Sequence, residues 1–536
     1  MDGLIETGAA RPTPVPKMVQ DFVVYFYRHI RERNIREIYT MYSHTFPVLS
    51  ERFFKGSSWP RAEAVSHLVD HDHVFCMLYK ELYFRHMYAA GTPAPEQRHE
   101  SWANYRELFT VILQSNLNMQ LPNGWLWDMI DEFVYQFQSY LQYRGKLAGK
   151  APEEIAALRA AEDLGAWKTE DVINFLEQLA SRSGIREDLS TTAGVEALYS
   201  SEGYNPTSSN VRRMLGYFSL IGLLRVHCVL GDHVTGLRAL APLNPFNRKC
   251  LFATKIPMAA ITMAYYCGFA YLAMQRHVDA ARCFNFGATY VARVKGHHPR
   301  GPGYDQMLKK NEQMYALLAI TLALCPAASR QLDESVANTL REKYGEKTRN
   351  MTSGAIDAFE DLFAYACPKF ASGVAPNWND PTTNTNAAAY NTQLAAFMSL
   401  VEERKHLPAI KQVLKLYSSI TIAKLGTLAE LDEATVRAQL DLLSKSAQVI
   451  TWSSGDALSG EVQACGDIEF SVEMQNGQEL VLVRETKGTV LTGEFLVRHI
   501  QKFEDMVRDL DAIQLPTAAS TAAAAAASLA PPAVTA

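Results

Sequence analysis

Between Lys255 and Arg276 the chain runs for twenty residues, Ile256 to Gln275, without a charged side chain. A stretch of that length either crosses a bilayer or lies at the centre of a large soluble domain, covered on every side. Its own residues favour the second outcome. Pro257, Thr262, Tyr265, Tyr266, Tyr271 and Gln275 interrupt the apolar surface, and the run sits within a spacing that the chain has already used once.

Offsets of 0, 3, 12 and 16 relate Gly268, Tyr271, Ala280 and Phe284, and the same offsets relate Leu224, His227, Gly236 and Leu240 forty-four residues earlier. Gly231-Asp232-His233 stands at the turn of the first copy where Gln275-Arg276-His277 stands in the second. The second copy has the order small, aromatic, small, large apolar, which is that of a tetratricopeptide-like pair of antiparallel helices. Small residues at Gly236 and Ala280 let the two helices close up, while His227 and Tyr271 pack across the pair. In a stack of such pairs each first helix is buried by its own partner and by the next pair, which accounts for the missing charge. The expected fold class is mostly α: a tetratricopeptide-like helical-repeat array, followed by a winged helix and a C-terminal helix.

Residues 1–17 carry Gly3, Gly8, Pro12, Pro14 and Pro16 without an apolar period and read as a flexible leader. An N-terminal helical region follows over residues 18–210. Phe22, Tyr25, Phe26, His29 and Ile30 recur at steps of three and four on one face, with Arg28, Arg31, Glu32 and Arg33 opposite. Further amphipathic blocks cover Arg61 to Tyr88, Gln97 to Leu117 and Trp125 to Tyr143. In the last of these, Trp125, Trp127, Phe133, Tyr135, Phe137, Tyr140 and Tyr143 ring the helix, so neighbouring helices or another subunit must cover it on more than one side. Gly145 to Ala166 lacks aromatic residues and reads as a linker or mobile charged segment.

The repeat array is expected over residues 211–404, including helices over Tyr304 to Leu324 and Ala355 to Ala366 and a Pro-, Asn- and Thr-rich loop over Ala371 to Ala389. Residues 405–492 read as the winged helix. Short helices over Ala409 to Tyr417, Ala423 to Leu431 and Asp432 to Ser444, the last capped by Asp432, flank an extended piece at Ser419 to Ile422. Asp467 to Met474 and Glu479 to Arg484 then form a hairpin across Asn476-Gly477, with Ile468, Phe470, Val472 and Met474 inward. The edge of this strand pair is suited to extending a neighbour's sheet. Residues 493–511 form a C-terminal bundle helix with Phe495, Ile500, Phe503, Met506, Val507 and Leu510 on its apolar face. Residues 512–536, with eleven alanines among the last twenty positions, read as a disordered tail.

Lys and Arg number 52 against 57 Asp and Glu, a formal charge of -5, so bulk attraction to nucleic acid does not drive binding. Eight cysteines stand apart with no C-x-x-C pair, which argues against a zinc ribbon or disulfide framework and for a reducing compartment, cytoplasm or nucleus.

His67, Asp70, His71, Asp72 and His73 resemble metal ligands by composition, and His67 and His71 would share one helical face. His71 and His73 point to different faces, however, and no third ligand of fixed spacing accompanies them, so a polar helix face or hydrogen-bonded core positions is the preferred reading. His297-His298 lies in a Gly/Pro-rich loop and is read the same way. No nucleophile elbow, Walker A pattern or dinucleotide fingerprint occurs, and adjacent pairs such as Glu402-Glu403 and Asp131-Glu132 do not share a helix face. No catalytic, cofactor-binding or metal residues are assigned, and no small-molecule substrate or membrane is expected. The third helix of the winged helix presents Asp432, Glu433, Arg437, Gln439 and Asp441, with Lys445 beyond, too acidic for a groove reader. Packing against another winged helix is preferred, with weak RNA contact through Lys411, Lys415, Lys424 and the Arg28, Arg31, Arg33 cluster as a secondary role.

Several long strings resemble subunit L of the eukaryotic translation initiation factor three complex, a PCI-domain family. They include Phe53-Phe54-Lys55 with Trp59-Pro60, Leu78 to His86, Leu121-Pro122-Asn123 with Trp125-Leu126-Trp127-Asp128, Ile130 to Tyr140, Leu215 to Leu220 with Gly222 to Arg225, and Asn311 to Ile320. The resemblance covers roughly residues 18–511. It implies a non-catalytic scaffold in the cytoplasm without cofactors, joined to other PCI and core subunits and, through the complex, to the small ribosomal subunit and messenger RNA recruitment. Composition and repeats alone would equally suit PCI scaffolds of the proteasome lid or the signalosome, or a direct RNA-binding winged helix. Gly145 to Ala166, the Ala371 to Ala389 loop and the alanine-rich tail depart from the family pattern.

Overall fold

The computed structural model describes residues 15–115, 118–204, 209–246, 250–296, 302–380, 382–453, 455–466, 468–475, 477–484 and 493–511. Most of the leader, the His297-His298 pair, Asn476 and the alanine-rich tail lie outside the described residues. The described chain is mostly α-helical, with five short strands towards its C-terminus. It forms two compact units, one from residues up to Ile410 together with Arg437–Gly466, the other from Lys411–Val436 with the described residues from 468 onward.

In the first unit the uncharged run forms the Pro257–Ala273 helix, opened by a proline in its first turn and buried along nearly its whole length. It turns at Arg276 into the His277–Val294 helix. The earlier copy forms Val211–Leu230 and His233–Leu240, with Asp232 capping the second helix by accepting the Thr235 N–H at 3.1 Å. Val211–Leu230 is also long and apolar enough to cross a bilayer, yet it too is buried in the protein, as a core helix is. Some of the spaced residues lie against one another, though not at the same offsets in the two copies. A Cβ added at Gly268 would stand 2.5 Å from the Phe284 ring, and one at Gly236 would stand 3.3 Å from the Cβ of His227 and 3.4 Å from Leu224.

The aromatic helix, Asn123–Gly145, is covered by the chain itself. Trp125 stacks between Phe26 and Tyr42, with ring centroids 5.5 and 5.1 Å away. Phe133 sits within 5.0 Å of Phe109, 5.2 Å of Tyr105 and 5.4 Å of Trp167, and Trp127 meets Phe218 edge-on at 5.6 Å. Of the seven rings only Tyr135, 44% exposed, faces outward. No other subunit is needed to bury the rest.

Three expectations for this unit require correction. The Arg61 to Tyr88 block is not one helix: Ala62–Val65 passes into a tight turn at Ser66–Val69, Asp70 and His71 take left-handed backbone angles, and His73–Ala90 starts afresh with Asp72 accepting the Phe75 N–H at 2.9 Å. Gly145 to Ala166 is no linker. It carries the Pro152–Asp163 helix, which buries Leu158 and Ala161 and pairs Glu162 with Arg144 at 2.6 Å. The loop after Ala366 is shorter and better held than its composition suggests. The Thr385–Glu403 helix begins within it, the Ser372 and Gly373 carbonyls accept from Arg144, and Asn386 donates to the Leu141 and Gln142 carbonyls at 3.3 and 3.0 Å.

In the second unit β1 (Ser419–Thr421) leads into the Ile422–Ala429 helix. Asp432 caps the Glu433–Ser446 helix, whose residues from Arg437 on are counted with the first unit, by accepting the Thr435 N–H at 3.1 Å. Two further short strands, β2 (Gln448–Thr451) and β3 (Glu461–Ala464), pair with each other and belong to the first unit. β4 (Glu469–Gln475) and β5 (Gln478–Arg484) form the expected hairpin, with Gln475 opposite Gln478 and Gly477 at φ 78°, an angle that suits glycine in a two-residue turn. The sheet order is β1-β5-β4, antiparallel throughout, consistent with a winged-helix cap on a mostly helical chain. The inward set expected on β4 is not realised: Ile468 is buried and Phe470 partly so, but Val472 and Met474 are 48% and 69% exposed. β5 lies between two neighbours and buries Val481, which leaves β4 at the sheet's edge.

Candidate interaction surfaces

The His277–Val294 helix opens with a charged triplet at i, i+3 and i+6: Arg276, Asp279 and Arg282. Asp279 is wholly buried in the first turn, where the helix dipole favours an acid. Its carboxylate accepts from the Arg276 guanidinium at 2.7 and 2.9 Å and from the Trp452 N–H at 3.0 and 3.1 Å. Arg276 also donates to the carbonyls of Ala457 and Ser459, both at 3.0 Å, and the Tyr271 hydroxyl donates to the same Ala457 carbonyl at 3.0 Å. Arg282 donates to the Trp452 carbonyl at 2.9 Å with its guanidinium 4.3 Å from the centre of the Phe246 ring. The result is a clasp that fastens the β2–β3 connection onto the second helix pair. Sequence reasoning passed over these residues, although three charges at a helix start beside an uncharged helix were a visible signal. Next to the clasp, burial and the nearby Arg404 push the His277 imidazole down to about 3, so it is neutral and faces the Arg404 guanidinium at 3.2 Å.

A second polar cluster lies under the aromatic helix. Glu81, wholly buried, pairs with Arg85 and accepts from the Trp125 indole at 3.0 Å and the Tyr105 hydroxyl at 3.4 Å. Arg85 also reaches the Tyr42 hydroxyl and, at 3.6 Å, Asp128. Desolvation, opposed by Arg85, pushes the Asp128 carboxyl up to about 6 and that of Glu132 up to about 7. Glu81, Arg85, Tyr42, Tyr105, Trp125 and Asp128 tie different helices together, while Glu132 accepts from Gln136 of its own helix at 2.8 Å, so the cluster fixes packing; a nucleophile with an adjacent base is not assembled in it.

The outward-facing features are different residues. In the second unit β4 offers an open strand edge with Val472 and Met474 uncovered, and the Gly493–Asp511 helix leaves Ile500, Phe503, Met506, Val507 and Leu510 exposed. The suspected metal residues are dispersed: His67 and His71 are exposed and do not share a helix, Asp72 takes Arg31 at 3.4 Å, and His73 takes Glu107 at 2.9 Å. Among the described residues no three His, Cys, Asp or Glu side chains are grouped to hold a metal. Of the basic residues, Arg28 pairs with Glu32 at 3.9 Å, Arg33 ends the first helix in a left-handed turn, and Lys424 stands 5.0 Å from the Tyr417 ring centre. Gln439, nominally on the reading face of the third helix, is buried and donates to the Glu403 carbonyl at 2.7 Å.

With these surfaces defined, similarity to known proteins decides the family. Eukaryotic translation initiation factor 3 subunit L of Nematostella vectensis is 40% identical over 506 residues, covering 93% of this chain and 94% of that protein. The chain belongs to the subunit L family of eukaryotic translation initiation factor 3. The Danio rerio and Homo sapiens members are each 38% identical, over 94% and 92% of this chain and 90% of their own lengths. Residues 97–503 also match the family described as RNA polymerase I-associated factor PAF67. The strings that carried the family resemblance lie mainly in packed helices: most of Leu78 to Tyr83, Ile130 to Tyr140 and Met314 to Ile320 is buried.

Proposed function

We propose that this chain is a non-catalytic scaffold subunit of the eukaryotic translation initiation factor 3 complex, supporting assembly of the initiation complex on the small ribosomal subunit and messenger RNA recruitment through protein contacts. The observation that carries this reading is the match to subunit L over more than nine tenths of both chains. The polar clusters, occupied by structural pairings, support a role without chemistry. On this reading residues 18–210 form the N-terminal helical region, 211–404 a tetratricopeptide-like array, 405–492 the winged helix and 493–511 a bundle helix. The β4 edge and the apolar face of the last helix receive other PCI and core subunits of the complex in the cytoplasm, by strand addition and helix packing. Any RNA contact through Lys411, Lys415 and Lys424 is secondary.

The test is purification of the tagged chain from its own cells, with crosslinking mass spectrometry and sedimentation. Initiation factor 3 subunits and small ribosomal subunits should accompany it. Recovery without either, or tight sequence-selective RNA binding by the isolated chain at physiological salt, would overturn the proposal.

A further inference from the structure

Cys267 and Cys283 meet across the second helix pair: the Cys283 thiol donates to the Cys267 sulfur at 3.6 Å, and both side chains are buried. The close approach of the two helices brings them together. A Cβ at Gly268 would stand 2.5 Å from the Phe284 ring, and one at Gly287 would stand 3.0 Å from the Ala264 Cβ, so the two sulfurs lie on a seam where small residues draw the Pro257–Ala273 and His277–Val294 helices in. A third buried thiol, Cys228, is instead turned to the Tyr266 carbonyl at 3.7 Å.

Both cysteines are free thiols, and a disulfide would require their sulfurs to close by roughly 1.5 Å. Thiolate is the reacting form, and burial pushes the Cys283 thiol up, so the closed helix pair resists oxidation. Local opening of the pair admits water and oxidant and removes that protection.

We propose that Cys267 and Cys283 are a redox lock on the second helix pair, joined in a disulfide when a hydroperoxide reaches them during an opening and released when cellular thiols reduce it. With hydrogen peroxide, one thiolate attacks an oxygen: the sulfur–oxygen bond forms, the oxygen–oxygen bond breaks, and the departing hydroxide takes a proton to become water. The other thiol then attacks the resulting sulfenic sulfur. The sulfur–sulfur bond forms, the sulfur–oxygen bond breaks, and a second water leaves with the thiol proton, so the sulfurs lose the two electrons that the peroxide gains. The lock secures the helix start that carries Arg276, Asp279 and Arg282, and it does not depend on which complex the chain joins.

The test exposes the full chain to hydrogen peroxide in water and in urea below the unfolding midpoint, blocks the remaining thiols and digests with trypsin without reduction. Cleavage after Lys255, Arg276, Arg282 and Arg293 places the two cysteines on separate peptides, residues 256–276 and 283–293, with no other cysteine on either. The disulfide-joined pair of these peptides should appear, and faster in urea. The oxidised chain should melt about 2 °C or more above the reduced one and return on adding dithiothreitol, and Cys283→Ala should show no such reversible rise. Conversion of both thiols to sulfinic acids, pairing of either with a different cysteine, or a joined chain that melts no higher than the reduced one would each overturn the assignment.

Discussion

The Asp279 carboxylate holds the Trp452 backbone N–H at 3.0 Å and the Arg276 guanidinium at 2.7 Å, so one buried acid joins a helix start to a loop 173 residues further on. Asp279→Ala would leave Arg276 buried without its counter-ion, at a cost of about 3–5 kcal/mol. Denaturant unfolding should register that loss. Amide exchange should show β2 and β3 losing protection before the Pro257–Ala273 helix does. Normal protection of β2 and β3 in the variant would mean that the clasp does not hold them.

Gly268 and Gly236 should respond differently to the same added methyl. At Gly268 the new Cβ would stand 2.5 Å from the Phe284 ring, and the resulting overpacking should cost about 1–3 kcal/mol. At Gly236 the nearest atoms are 3.3 and 3.4 Å away, and the gain in helix propensity of roughly 1 kcal/mol offsets the tighter fit. Thermal melts of the full chain carrying Gly268→Ala and Gly236→Ala separate the two: the first should drop clearly and the second stay near wild type.

Stability should fall as pH rises from about 4 to about 7 through two acids on the aromatic helix itself, Asp128 and Glu132. Free Asp and Glu titrate near 3.9 and 4.3, whereas burial pushes Asp128 up to about 6 and Glu132 up to about 7. Over that window the folded chain keeps protons that the unfolded chain has released, so raising pH favours unfolding. Glu132→Gln, which can still accept the Gln136 amide now bound at 2.8 Å, should match wild type near pH 4 and melt higher above pH 7. A constant difference across pH would remove Glu132 from the account.

On the second unit the informative substitutions lie on the edge strand. Val481→Pro, the natural way to break a docking strand, would damage the sheet itself, because Val481 pairs with Ile420 on one side and Val472 on the other. Val472→Lys with Met474→Lys leaves the pairing intact and places charge on the open edge. Co-purification of at least one neighbouring subunit should weaken while circular dichroism stays unchanged.

The long apolar helices were legible because burial on all sides leaves a charge-free run, as at Ile256 to Gln275, and because a small residue there faces a large one, as Gly268 faces Phe284. Short elements with little buried surface were not. β3 buries no side chain, so it carries no alternation to read, and β2 has only Val449 and Thr451 inward. The Glu334–Thr352 helix buries only Val336, Leu340 and Met351 in nineteen residues, and the Pro152–Asp163 helix only Leu158 and Ala161. The aromatic ring around Asn123–Gly145 was visible, but its partners Phe26, Tyr42 and Trp167 are distant in sequence, and only their packing distinguishes a core from an interface. The clasp was missed for the same reason: its charges are local, but the carbonyls they hold are not.

The clasp also sets an order of events during synthesis. Arg282 and the Trp452 carbonyl it holds are 170 residues apart, and at ribosomal rates of roughly 5–20 residues per second that gap lasts on the order of ten to thirty seconds. Through that interval Arg276, Asp279 and Arg282 have emerged without the loop that later covers them. A nascent or prematurely ended chain that stops short of Ser459 therefore carries an uncapped helix pair, a mark by which chaperones and proteases could tell an unfinished copy from a finished one.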